Sequence, residues 1–213
     1  MRVARHLLGV ALALGFATTA NAQGIVYNNG GPNGLDGSEM SATVQAEDFS
    51  FLTASFFNGI RFWDVEVTPA FGGINIGWAI FTDAAGSPGT QLFGGTAAST
   101  RTSLGVDAFG FEHWQNDLAV GPVAVGPGTY WLALHEGADF DNRAFYWETT
   151  DPNGTHTGLE QPGGVGPFGD PEFAAPSEHA FALTATPEPA SMVLLGTGLL
   201  GVFGVVRRRR QRA

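Results

Sequence analysis

Ile74-Asn75-Ile76-Gly77-Trp78-Ala79-Ile80 is the stretch that decides the fold class. Its large apolar residues recur at every second position, so Ile74, Ile76, Trp78 and Ile80 share one face. A period of two belongs to a strand with one buried side, whereas an amphipathic helix needs apolar spacings of three and four. β-Branched and aromatic side chains also suit a pleated, half-buried surface. Trp78 is therefore predicted to face inward.

The same reading extends in both directions. Strands are expected at Thr43–Leu52, Phe56–Val67, Gln91–Ala97, Phe109–Trp114, Thr129–His135, Arg143–Thr149 and Glu178–Thr184. Turn-forming pairs separate them: Asn58-Gly59, Gly86-Ser87-Pro88-Gly89, Gly121-Pro122, Gly126-Pro127-Gly128 and Asp151-Pro152-Asn153-Gly154. Many short strands joined by Gly/Pro turns predict an all-β fold, an antiparallel β-sandwich with jelly-roll-like connections. Two segments are not strand-like. Residues 23–41 read as a Gly/Asn-rich arm. Residues 151–177 hold six Gly and five Pro, which predicts a long loop.

Both ends of the chain differ from this middle. Arg2 and Arg5 precede an apolar run, Leu7–Phe16, and Ala20-Asn21-Ala22 supplies a small-residue cleavage site. Residues 1–22 are thus expected to be a signal peptide. At the other end, Thr186-Pro187-Glu188-Pro189 leads into an uncharged run over residues 190–206, followed by Arg207, Arg208, Arg209 and Arg210. The prolines fix φ and withhold N–H groups, so the triplet is extended. The apolar run is near the short limit for a bilayer span, and the arginines behind it act as a cytoplasmic stop. The expected division is signal peptide 1–22, exported β domain 23–185 and tail 186–213.

Charge is divided along the same lines. The formal net charge is −10, and all ten basic residues are Arg. Residues 23–185 keep three of them, Arg61, Arg101 and Arg143, against nineteen carboxylates, a net of −16. Such a surface repels nucleic acid and anionic lipid headgroups, which excludes nucleic-acid partners. It favours solubility and can attract divalent cations. The chain has no Cys, so disulfides, thiolate metal sites and cysteine nucleophiles are excluded.

Candidate chemistry is sparse. Alternation in Tyr130-Trp131-Leu132-Ala133-Leu134 puts Tyr130, Leu132 and Leu134 inward, and Trp131 outward with His135. Phe145 and Trp147 share one face, leaving Tyr146 on the other with Glu148. Trp131 and Tyr146 are therefore the candidate stacking platforms for a sugar ring, although aromatics more commonly fill cores. Glu136, Asp139, Asp141 and Asn142 supply hard oxygens in one loop, open to reading as a calcium site or as a solvated acidic loop. Asp83 is read as a turn residue. The histidines lack zinc spacing, and neither a nucleophile elbow nor a phosphate-binding loop is present. Two carboxylates at the correct separation would suffice for a glycosidase, but sequence does not measure that separation. No cofactor is implied beyond the candidate calcium.

The tail resembles the PEP-CTERM sorting signal of Gram-negative bacteria, with Pro-Glu-Pro, apolar helix and arginine cluster in order. The resemblance implies recognition by an exosortase at Pro187, Glu188 and Pro189. It also implies export through the secretion translocon and signal peptidase, a membrane-anchored precursor in the inner membrane, and release to the cell surface or extracellular matrix. A looser resemblance runs through Gln45-Ala46-Glu47-Asp48-Phe49, Ile60-Arg61-Phe62-Trp63, Phe81–Gly89 and Gly128-Thr129-Tyr130-Trp131-Leu132. These segments look like the β-sandwich cargo domain found on PEP-CTERM proteins, and no catalytic residues come with it. The adopted expectation is a non-enzymatic surface or biofilm-matrix component associated with exopolysaccharide. The alternatives are a calcium-assisted carbohydrate-binding module and a secreted glycan hydrolase.

Overall fold

The computed structural model describes residues 24–66, 74–106, 110–152, 157–169, 178–186 and 198. The expected signal peptide lies outside them, as do the Pro-Glu-Pro triplet, the arginine cluster and, apart from Gly198, the expected membrane helix. Among the described residues no helix is long and apolar enough to cross a membrane. Ile25–Ala185 is one compact unit, and strands are the regular secondary structure of its described residues. The strands are β1 (Gly24–Gly30), β2 (Gly37–Glu39), β3 (Thr43–Phe51), β4 (Ser55–Glu66), β5 (Asn75–Asp83) and β6 (Pro88–Val106). They continue with β7 (Glu112–Val125), β8 (Gly128–Glu136), β9 (Phe145–Thr150), β10 (Leu159–Pro162), β11 (Glu178–His179) and β12 (Phe181–Ala185).

Hydrogen bonds link the strands in the order β1-β12-β4-β7-β6-β5-β8-β3-β10, with β9 on β4 and with β2 and β11 on β9. Every pair with a defined register is antiparallel. β6 joins the two halves of this path. Its first part, to Ala98, pairs with β5, and from Ser99 onward it pairs with β7. The inward faces share one core: Ile60, Phe62, Leu118, Phe181 and Leu183 from the β4 half meet Phe49, Ile76, Trp78, Ile80, Leu132 and Leu134 from the β8 half. The halves thus face one another, joined through β6 on one side. On the opposite side the path ends at β1 and β10. There Tyr27 reaches across, its ring 5.7 Å from Phe49 of the β8 half and 5.5 Å from Phe181 of the β4 half.

The alternation in β5 holds: Ile74, Ile76, Trp78 and Ile80 are all buried in this core. Other expectations are corrected. The arm at residues 23–41 contains β1 and β2, because pairing with β12 and β9 and the anchoring of Tyr27 hold a segment whose composition is poor in strand formers. In β2, a Cβ on Gly37 would lie 2.9 Å from the Tyr146 Cβ and 3.2 Å from the Trp147 carbonyl, so only glycine lets the strands approach this closely. The expected loop at 151–177 contains β10, which pairs with β3. β6 and β7 are much longer than expected. The breakers Asn58-Gly59 and Gly121-Pro122 do not end their strands. They face one another in a bulge where the β4–β7 register shifts between Phe57 and Gly59, which accommodates a proline without an N–H.

Candidate functional site

The candidate platform residues are not brought together. Trp131 does point away from the main core, as expected, but it is fully buried rather than exposed. It sits with Ala46, Ala133 and Leu159, against Phe81 and Phe168, in a second apolar cluster. Its indole N–H donates to Asp83 Oδ1 at 2.9 Å. The sheet face that carries Trp131 is roofed by the segment following β10, where Phe168 meets Phe81 edge-on at 5.8 Å. His135, expected beside it at the surface, is also buried, with Phe140 across its ring at 4.1 Å. Tyr146 is half-buried on β9, in the other half of the sheet, so the two aromatics lie on opposite sides of the molecule. Asp83 does serve its turn, accepting from the Gly86 N–H at 3.1 Å.

The candidate calcium loop is organised by an arginine. Arg143 places Nε 2.9 Å from Asp141, one terminal nitrogen 3.7 Å from Asp139, and the other 3.9 Å from buried Glu136. Asn142 turns inward on its own loop, its Oδ1 accepting from the Ala144 N–H at 3.0 Å. A guanidinium thus sits among the oxygens proposed as metal ligands.

Carboxylates converge elsewhere. Among the described residues, Glu47, Asp48 and Glu178 bring one oxygen each to within 4.8 Å of one another, and all three are buried. β3 supplies Glu47 and Asp48, and β11 supplies Glu178 and His179. The cluster lies on the side away from β6, where the path ends. The pairing of β10 with β3 ends at Leu159–Ala46, one residue short of Glu47. Glu47 Oε2 accepts from the His179 backbone N–H at 2.7 Å and lies 2.9 Å from His179 Nδ1, and Oε1 accepts from the Asp48 N–H at 3.2 Å. Tyr27 and Asn29 of β1 border the group: the Tyr27 hydroxyl donates to Asn29 Oδ1 at 3.0 Å, and Asn29 Nδ2 donates to the His179 carbonyl at 3.0 Å. The His179 ring lies 4.6 Å from Trp147. From the opposite side Gly158 closes the site, since a Cβ there would fall 2.3 Å from His179 Cε1.

Burial sets the protonation of this group. It pushes Glu47 up to about 8 against the pull of the His179 and Asp48 N–H groups, with the Asp48 charge adding to the rise. It pushes Glu178 up to about 7, helped by the charge of Glu47. The His179 imidazole is driven down to about 4. Burial and the three carboxylates also raise the Tyr27 hydroxyl above its ordinary range. A charged form is costly in a low-dielectric interior, so each group shifts toward its neutral state. The Glu47–His179 contact is accordingly a hydrogen bond between neutral partners near pH 7. Glu178 Oε2 and His179 Nε2 have no hydrogen-bond partner.

A second buried cluster is compensated from within. Arg101 bonds Asp64 Oδ2 at 3.2 Å and also Glu66, while Asn116 donates to Asp64. The guanidinium stacks 4.3 Å over the Trp114 ring. Burial still raises both carboxyls, with Arg101 opposing the rise.

Sequence reasoning missed the Glu47–Asp48–Glu178 group. One signal was present: Glu47 has the parity of Phe49 and Phe51, which places an acid on the core face of a strand. No curated protein matches the chain. The model of the PEP-CTERM protein-sorting motif matches residues 185–210. The resemblance read from the tail thus holds, and the chain is an exported protein that carries the PEP-CTERM protein-sorting motif of exosortase substrates.

Proposed function

We propose that this chain is a non-enzymatic component of the cell surface or of an exopolysaccharide-rich biofilm matrix. In this reading the exported part is a jelly-roll-like β-sandwich, delivered across the inner membrane of a Gram-negative bacterium. Its C-terminal helix holds the precursor until exosortase releases it. The observation that carries the reading is the sorting motif at 185–210, which begins where β12 ends at Ala185. Two further features support it. Residues 23–185 carry a net charge of −16, which suits a hydrated matrix. Trp78, Trp131 and Trp147 are consumed by packing, so their faces are taken from sugar stacking. That favours a structural component over a carbohydrate platform.

The test is fractionation of the producing bacterium expressing the full chain or its Pro187→Ala/Glu188→Ala/Pro189→Ala variant. Wild type is expected in the surface and matrix fractions, and the variant in the membrane fraction. Equal release of the variant would overturn the sorting role of the triplet. Wild type confined to the membrane would overturn the matrix role. Turnover of a glycan by the purified full chain would overturn the non-enzymatic reading.

A further inference from the structure

We propose that Glu47, Asp48 and Glu178 form a calcium site that staples the open side of the fold, joining β3 of one half to β11, at the entry to β12, of the other. The carboxylate oxygens lie within 4.8 Å of one another. Oxygens at about 2.3–2.6 Å from one calcium ion are separated by at most roughly twice that distance, so a single ion can touch all three.

The site is built rather than incidental. Each carboxylate is at least nine-tenths buried, with Glu47 fully so. Glu178 Oε2 has no hydrogen-bond partner although Glu178 is only 3% exposed. Such an orphaned oxygen is costly unless a ligand satisfies it. Glu47 is oriented by the His179 N–H and ring, and Gly158 leaves that arrangement room that any side chain would remove.

The protein's own cations are committed elsewhere. The chain has no Lys, and the three arginines of residues 23–185 bond Asp117, Asp64 with Glu66, and Asp141. An all-oxygen donor set selects a hard ion. Ligands drawn from two separate strands suit calcium, which tolerates six to eight oxygens in flexible geometry, better than magnesium, which demands an octahedron. Solvent oxygens would complete the shell, as calcium sites commonly allow.

The experiment is calcium titration of the full-length chain, purified in mild detergent and stripped with EDTA, followed by thermal unfolding and calorimetry. Half-saturation is expected at about 0.1–1 mM, the range of extracellular modules. At 10 mM calcium the midpoint should rise by about 3–10 °C. Glu178→Gln, which keeps shape and hydrogen-bonding capacity, should abolish the rise, while Asp139→Asn/Asp141→Asn should retain it. Should Glu178→Gln not fold, terbium luminescence excited through Tyr27 and Trp147 reads the site in wild type. Sensitised emission displaced by calcium supports the proposal, and absence of emission overturns it. A midpoint indifferent to calcium, an unchanged response in Glu178→Gln, or loss of the response in the Asp139/Asp141 variant would each overturn it.

Discussion

Around Arg101, two buried carboxylates, Asp64 and Glu66, are held by a guanidinium that also stacks on Trp114. Around Glu47, three buried carboxylates converge, and Glu47 itself meets a neutral histidine. Residue types and burial are alike, and the difference is where the counter-charge comes from. One cluster carries its cation on β6, two strands away across β7. The other must take a proton or an ion from solvent, because a bare carboxylate is too costly to bury. The first cluster therefore has its counter-charge once the chain has folded, whereas the second answers to pH and to dissolved cations.

That contrast breaks most visibly at Arg101. Arg101→Met keeps an apolar stem but leaves Asp64 and Glu66 buried without their guanidinium. Removing one partner of a buried pair costs about 3–5 kcal/mol, so the urea midpoint should fall sharply near pH 7. An unchanged midpoint would mean that these carboxylates tolerate isolation as readily as those on β3.

Gly158→Ala comes next. Its Cβ would lie 2.3 Å from His179 Cε1 and 2.5 Å from Nδ1, so His179 must move and loosen its hold on Glu47. The expected loss is about 1–3 kcal/mol, measured by chemical denaturation. Wild-type stability in this variant would show that the His179 ring is not confined.

Protonation sharpens the comparison further. In the chelated protein Glu47 keeps its proton up to about 8 when folded, against an ordinary value of 4.5. The folded state then binds more protons than the unfolded one, and stability falls as pH rises toward 8. Glu178, raised to about 7, acts in the same direction over a narrower window. His179 opposes them at lower pH. Held down to about 4, it stays neutral in the fold while the unfolded chain protonates below 6.5, so its contribution is lost as pH drops from 6.5 toward 4. Above pH 6.5 the carboxyls act alone. Denaturation in EDTA should therefore show stability declining from pH 6.5 to 8, at up to about 1.4 kcal/mol per pH unit from Glu47. Glu47→Gln should flatten most of that slope, and a slope unchanged in this variant would assign the titration elsewhere.

The smallest effect is expected at the surface. Asp139 is 80% exposed and lies 3.7 Å from Arg143. Exposed pairs of this kind contribute little. Asp139→Asn should leave the urea midpoint unchanged within error, and a clear drop would give the Arg143 loop a structural weight that its geometry does not suggest.

How much of this was legible follows from what alternation measures. It reports which side of a strand a residue occupies. Hence Ile76, Trp78, Leu132 and Phe145 were placed correctly, and so was the orientation of Trp131 away from them. It does not report what covers the other side, so the roof of Leu159 and Phe168 over Trp131 was invisible. β1 and β2 were hidden because their stability comes from partners distant in sequence rather than from their own composition. β6 was read too short because most of it is solvent-exposed and lacks a buried face to betray its period. The carboxylate cluster joins residues 130 positions apart, a proximity that only topology creates. The tail was legible because its signal is local: a stiff triplet, an apolar run and a charge block in fixed order.

One strand links that tail to the rest. β12 is bonded on both sides, to β1 and to β4, and it ends at Ala185, where the matched motif begins. Any tension carried by the anchored tail enters the molecule through β12. The load therefore meets two hydrogen-bond ladders at once, and the tail cannot peel the fold open one edge strand at a time. Just upstream of that strand, in β11, stand Glu178 and His179. A cation held there would pin the load-bearing strand to the opposite half of the molecule, making the hold of a tethered domain a function of the ions around it.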